Sequence, residues 1–446
     1  MSEEKVKGYR FSGDIDVKFV KLLSSDGELS DISTITVEVN VFQDLFEHYM
    51  QAELVISDAV AFLDDIGGFN GGEILAVSYR TRSGDLEYKT HLFGIYDVTS
   101  RKRLDDKIET YVLNCVSVEA YQTVAKRISR SYGGTKGNTI KNMIQSVTDE
   151  FVYNSAVKGV YNNLKGGLNL SIKKEIDLDD TSGMQRFIIP NLSVDDTIDF
   201  LAREADNDNH IPYFIYYENS KGYNFKDLNT LVNEEPKEEY TYVSTNVRDD
   251  ENNAELAVRD FQKIIDFNIV KQTNIIQNTK SGLFSQKTIN LDILRKNKSE
   301  VNFNYTKEHS KFNTLQKPII PGEVTGFPVQ HMMQSRTGHD SDSLLSKENP
   351  LPKRRNTFIA KRQSYERHIM NTVMEVVVPG NSELDVGNTL KLNIPNATTL
   401  DKKDGKKDKY LSGKYLITKV RHIFGGKTGQ TFTTVLECVK DTEIET

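Results

Sequence analysis

One pattern occurs twice in this chain, in the same order, and it limits the possible folds more than any other feature. Thr110-Tyr111-Val112-Leu113-Asn114-Cys115-Val116 matches Thr433-Thr434-Val435-Leu436-Glu437-Cys438-Val439, with Val, Leu, a polar residue, Cys and Val in step. Upstream, the run His91–Val98 matches Lys414–Arg421 in its apolar spacing, and Gly72–Val77 matches Gly387–Leu392. The blocks keep their order and similar separations. Strands alternate with period two, so such matches predict two copies of one β-unit.

The flanking sequence fits short strands and turns. Ile35, Val37, Val39 and Val41 alternate with polar neighbours, as do Ala52, Leu54 and Ile56. Gly67-Gly68, Gly71-Gly72 and Ser83-Gly84 mark turns. Closely spaced strands of this kind predict a small antiparallel barrel or sandwich. Helical spacing follows. Val118, Tyr121, Val124, Ala125 and Ile128 predict a helix that ends at Gly133-Gly134, and Ile140, Met143, Ile144, Val147 and Phe151 predict a second. A third starts after Pro190, with Ser193 as N-cap and Asp195 and Asp196 in its first turn. Its buried stripe is Ile198, Leu201, Ala202 and Ala205.

Tyr213–Tyr217 and Tyr223–Phe225 read as strands of a hairpin turning at Ser220-Lys221-Gly222. Residues 232–256 are acidic and polar and read as a linker or surface excursion. Residues 257–320 read as a mixed insertion with strands near 264–273 and 300–305. Residues 335–355 read as a flexible loop, followed by a short helix over Thr357–Tyr365 and a β-rich end over 368–440.

Chemistry is sparse. Net charge is −7, from 57 basic and 64 acidic residues, which argues against a general nucleic-acid coat. Cys115 and Cys438 sit in apolar runs, too few for a disulfide framework or a cysteine zinc site, and read as buried thiols. The first residues have no apolar leader region, and no stretch reaches the ~18–20 apolar residues of a membrane span, so a reducing cytoplasm is expected. There is no G-x-S-x-G, no H-E-x-x-H and no complete P-loop. Gly133–Asn138 reads as a connector. His331 and His339 read as surface-loop residues, and Asp206–His210 as a helix exit rather than a calcium loop. Asp177, Asp179 and Asp180 read as a solvated turn, since a glycosidase groove would need an aromatic platform and the chain has no Trp. Asp401–Lys409 reads as an exposed hairpin tip. No catalytic residue, metal or cofactor is expected.

With these residues in place the chain resembles the central baseplate hub proteins of contractile-tailed phages, and is similar to the hub part of VgrG spikes. The resemblance rests on Thr34–Val37 with Ala52–Asp58, and on Phe187-Ile188-Ile189-Pro190 before the helix Thr197–Ala205. It rests further on Tyr213–Glu218 with Gly222–Phe225, and on Val386–Leu392 with Leu411–His422. The segment 236–365 matches poorly.

The resemblance implies a mainly β, α+β chain with two similar antiparallel β-barrel tube domains, a helical domain and a mixed insertion domain. The expected division is 10–118 for the first tube domain, 119–206 for the helical part, 207–235 with 366–442 for the second tube domain, and 236–365 for the insertion. It implies a trimeric pseudo-hexameric ring that adapts a six-fold tail tube to a three-fold spike and forms part of a DNA conduit. Its partners would be itself, a separate spike protein, the first tail-tube ring and baseplate wedge proteins, with the tape measure protein a further candidate. DNA would pass without specific binding, and this chain would insert in no membrane. The expected location is the virion tail baseplate, assembled in the host cytoplasm. The strand residues expected to carry ring assembly are Val37, Leu54, Leu75, Val112, Leu113, Leu390, Leu392, Val435 and Leu436. The competing readings are a hub of a type VI or other contractile injection system and a tail-associated cell-wall hydrolase.

Overall fold

The computed structural model describes residues 12–65, 68–82, 86–133, 138–154, 157–159, 174–207, 213–243, 260–292, 296–315, 329–334, 351–396, 407–428 and 430–441. The turn at Ser83-Gly84, residues 335–350, and most of Asp401–Lys409 and Asp206–His210 lie outside them.

The strands of the first copy are β1 (Ile15–Leu23), β2 (Leu29–Asp31), β3 (Thr36–Asp44), β4 (Gln51–Asp58), β5 (Ile74–Thr81), β6 (Lys89–Asp105) and β7 (Ile108–Ser117). Then come β8 (Arg127–Tyr132), β9 (Glu175–Leu178), β10 (Phe187–Ser193), β11 (Phe214–Asn219) and β12 (Gly222–Asp227). They are followed by β13 (Glu238–Tyr242), β14 (Lys263–Ile264), β15 (Asp266–Lys271), β16 (Ser285–Asp292), β17 (Asn297–Asn304) and β18 (Val329–Gln334). The last four are β19 (Thr372–Pro379), β20 (Thr389–Asn393), β21 (Gly413–Phe424) and β22 (Thr433–Lys440). The fold is mainly β with helices between the strands, as expected.

The two copies share one strand order and differ in the direction of the sixth strand, since β1 runs antiparallel to β5 and β13 runs parallel to β20. In the first, the order is β3-β4-β7-β6-β5-β1, and Ile32–Ile35 bond to Val20 on one side and Ser57 on the other, closing the curl. In the second, the order is β15-β19-β22-β21-β20-β13, and β14, which runs directly into β15, pairs with β13 and closes the ring. Cys115 faces Ala52 and Ile95, and Cys438 faces Met374 and Ile417. Leu75 pairs with Phe93 as Leu390 pairs with Tyr415.

These registers fix the equivalences between copies. The first and third sequence blocks match as read. The middle block is displaced by one residue, because Ile95 corresponds to Ile417 rather than to Thr418. Both strands carry a bulge immediately after this isoleucine. A bulge breaks the period-two pattern, so apolar spacing cannot fix the register across it.

Three packed cores follow from this layout. One fills the first barrel, with Val39, Leu54, Leu75 and Leu113, and one fills the second, with Val376, Leu390, Leu416 and Leu436. The third joins the helices Ile140–Val147 and Val194–Glu204 to β8, β10 and one face of the β11–β12 hairpin.

Several local expectations change. The helix after the first barrel stops at Thr123, and Ile128 lies in β8, paired with Leu192 of β10. A backbone turn at Thr123–Lys126 ends it, and the β-branched Ile128 is buried from a strand instead. The helix over Ile140–Val147 runs into a wider turn, Thr148–Val152. Ser193 does cap its helix, accepting from the Asp196 amide. Leu351–Arg355, expected in a loop, open a helix that reaches Ile369. Strands β13, β14 and β15, drawn from the stretch read as linker and insertion, hydrogen-bond into the second barrel. The aromatic hairpin β11–β12 pairs with β9 instead. Strands β14 and β15 fall where a strand was expected near 264–273, whereas the parallel pairing of the polar β13 leaves no clear alternation in sequence, which is why that strand was not legible.

A candidate assembly surface

The barrels meet edge to edge. Beyond its pairing with β20, β21 bends across to β3, so all strands of both barrels form one 14-stranded sheet among the described residues. The joint is antiparallel, from Lys419 opposite Asp44 to Phe424 opposite Val39. The Arg421 Nε donates to the Asn40 side-chain oxygen at 2.9 Å, and its guanidinium lies over the Phe42 ring at 5.4 Å. Lys419 lies 3.4 Å from Asp44. These charges are half-exposed, so each adds little beyond the backbone ladder.

Apolar plugs cross the joint in both directions. Leu45, just past β3, is buried in the second barrel's core, its amide donating to the Thr418 carbonyl at 2.8 Å. In return Phe424 and Phe432 are buried in the first barrel's core, where Phe424 packs 4.5 Å from the Tyr79 ring. Gly380 lies so close to Phe432 that any Cβ there would overlap the ring. His91 and His422 are buried beside Tyr79, and burial holds their pKa values down, to about 3 and about 4, so both rings are neutral.

The helical unit is bolted to the same barrels. Glu218 on β11 is fully buried, accepts from the Met50 amide at 3.0 Å and from Ser117 at 2.6 Å, and pairs with Lys174. Burial pushes this carboxyl up, against the pull of Lys174. Asp385, between β19 and β20, accepts from Gln43 at 2.9 Å and from the Ser220 hydroxyl at 2.7 Å, tying both barrels to the hairpin. His48, past β3, contacts Asp199 at 3.1 Å and Asp195 at 3.5 Å on the helix Val194–Glu204. Burial works to lower its pKa, and the two aspartates outweigh this, holding it up at about 9.

The strand residues expected from sequence divide into two groups. Leu54, Leu75, Leu113, Leu390, Leu392 and Leu436 lie inside the barrel cores. Val112 and Val435 are half-buried on the opposite sheet face, at equivalent positions, and Val37 is 57% exposed at a bulge of β3. The side chains that make the observed joint are others: Asn40, Phe42, Leu45, Arg421, Phe424 and Phe432. One sequence signal for them existed. Glu38-Val39-Asn40-Val41 is matched in the second copy by Asp266-Phe267-Asn268-Ile269, which the registers with β4 and β19 bring into correspondence.

The outer face of this sheet is polar. A shallow concavity of ≈ 500 Å³ runs over β3, β4, β21 and β22, with Glu53, Glu375 and Glu437 facing Lys419 and Arg421. Asp177 and Asp179 pair with Lys226, and Asp180 with Lys141, so this acidic cluster is a set of ion pairs. Among the described residues no group of His, Cys, Asp and Glu converges to hold a metal, and no helix is long and apolar enough to cross a membrane. Cys115 and Cys438 are buried free thiols, and burial raises the pKa of each far above the ordinary range.

No protein-family model matches the sequence, and no curated protein matches it either. Among solved structures the chain is similar to the 43 kDa tail protein of prophage MuSo2 from Shewanella oneidensis. That match has a TM-score of 0.52 and 10% identity, and covers 96% of this chain and 100% of the other. It is also similar to the tail protein from Neisseria meningitidis MC58, with a TM-score of 0.51 and 8% identity, covering 95% of this chain and 96% of that one. The chain therefore has the fold of these tail proteins, which is the fold the sequence resemblance implied.

Proposed function

We propose that the chain is a structural hub of a contractile phage tail baseplate. Three copies would close into a ring of six barrels, adapting a six-fold tail tube to a three-fold spike. One observation carries this reading: two barrels of one strand order are already joined edge to edge within a single chain, as neighbours in a six-membered ring would be. Internal duplication of this kind lets a trimer present six near-equivalent positions.

In this reading the barrels over 10–118 and within 207–442 are the tube units, and the six buried leucines keep their strands rigid. The polar outer sheet face would line the conduit, where Glu53, Glu375 and Glu437 offset the basic residues and weaken any grip on passing DNA. The central spike, the first tail-tube ring, baseplate wedge proteins and the tape measure protein would be its partners. Its place would be the virion baseplate, after assembly in the host cytoplasm.

The test is the mass of the purified chain by light scattering, with negative-stain imaging of the same peak. Three chains around a central hole is the expected result. A compact monomer, both alone and co-expressed with the spike, overturns the ring.

A further inference from the structure

The internal repeat says more than that copies associate, because one joint is visible and can be carried to the other end of the chain. The visible joint uses β3 of the first barrel and the far half of β21 of the second. By register, the counterpart of β3 is β15 and the counterpart of β21 is β6. Among the described residues, β15 pairs only with β19, and the Asp97–Asp105 half of β6 pairs only with β7. Each is therefore an open edge, of the kind that recruits another strand.

We infer that β15 of one chain pairs antiparallel with the Asp97–Arg103 half of β6 in the next copy, repeating the β3–β21 joint. The inference rests on the ring reading and names the strands and register that would close it. Arg421 faces Phe42 and Ile423 faces Asn40 in the visible joint. Carried over, Thr99 faces Lys271 and Lys102 faces Asn268.

Bulges supply an independent check. Against β7, β6 has one extra residue between Thr99 and Lys102. Against β19, β15 has one extra residue between Ile269 and Lys271. Neither β21 nor β3 has an extra residue at the matching place. The two open strands therefore carry matching insertions, which keep them in step with each other: Ser100 and Arg101 on one side, Ile269 and Val270 on the other.

Side chains agree with this register. Leu45 plugs the visible joint beside Thr418. Thr418 corresponds to Tyr96, which is 57% exposed, and Leu45 to Asn274, directly before Ile275 and Ile276, exposed by 56% and 70%. The new joint brings these uncovered apolar groups together. Asp266 falls beside Arg103, and Lys271 near Asp97, so the charges are complementary at both ends. Phe424 and Phe432 have no aromatic counterpart, since Arg103 and Glu109 occupy those positions. The second joint is therefore more polar, and its strength falls with added salt.

Two single variants, Lys102→Cys and Asn268→Cys, test the register. Both positions are exposed, while the native cysteines are buried and unreactive. Mixing the two variants under mild oxidation is expected to give a disulfide-linked dimer. The double variant is expected to give a covalent ladder that stops at the ring's chain number. Replacing Lys102→Cys by Thr90→Cys, on the paired half of β6, should abolish the link. Wild-type oligomers without a 102–268 disulfide overturn this joint and leave the ring standing. A disulfide ladder without end supports the joint and overturns the closed ring. A monomer at millimolar concentration with no disulfide overturns both. Arg103→Glu should weaken assembly about tenfold, with Asp266→Arg restoring it in the same chain.

Discussion

Strands β6 and β21 occupy the same place in two barrels of the same strand order, yet their far halves meet opposite fates. From Lys419 onward β21 is covered by β3, and its last residue, Phe424, is buried in the neighbouring barrel. From Tyr96 onward β6 is exposed at every residue but the half-buried Val98, and its matching positions are Arg-Lys-Arg over 101–103. The covered edge is apolar at its end and the open edge is charged. A joint within one chain forms as the chain folds, so it can rely on buried aromatics. Under the proposed ring, the open edge waits for another copy, and its charge would keep it soluble until that partner arrives.

This comparison can be broken at several places. The largest effect is expected from Leu436→Asp and its counterpart Leu113→Asp, which put a carboxylate into fully buried core positions. Each should cost on the order of 4–5 kcal/mol or more and leave its own barrel unfolded, read as lost soluble yield and lost strand signal in circular dichroism. A folded, wild-type-like assembly from either would break the strand assignment. Next, Phe432→Ala should destabilise the chain by about 3–5 kcal/mol, because the plug leaves a cavity in the first barrel. Glu109→Ala, at the matching open position, should change unfolding by less than about 0.5 kcal/mol, and denaturant titration separates the two.

Smaller effects come from titration. His48 has a folded pKa of about 9 against an ordinary 6.5, so its contribution is full below pH 6.5 and is lost as pH rises through 9. With Asp195 and Asp199 half-exposed, this amounts to about 1–3 kcal/mol. His48→Gln should flatten that alkaline slope in denaturant midpoints. His91 and His422 act in the opposite sense. Their folded pKa values lie at about 3 and about 4, so stability is full above pH 6.5 and is lost as pH falls through them. The acid slope should therefore survive in the His48→Gln chain. Smallest of all, Val112→Thr and Val435→Thr, on the outer sheet face, should each shift stability by under about 0.5 kcal/mol, equally in the two barrels.

Much of the fold could be read from residues whose pattern is local. The Val-Leu-polar-Cys-Val blocks place Leu113 and Leu436, and Cys115 and Cys438, on the same inward face in both copies. Ser193 and the Ser220-Lys221 turn are likewise where the sequence puts them, since a cap and a two-residue hairpin depend on neighbours in the chain. The joint between the barrels was less legible. Asn40 and Arg421 are 381 residues apart, and nothing in either segment alone names the other. Ile128 kept its apolar character but changed from helix to strand once β10 offered a partner.

What the sequence determined by itself was the existence of two like β-units, because alternation and repetition are written in single residues and survive any arrangement in space. The tertiary structure decided which strands complete each barrel, the one-residue displacement of the middle block, and which edges stay open. Those outcomes depend on hydrogen bonds between strands far apart in the chain. A bulge of one residue, invisible to composition, shifts every pair beyond it.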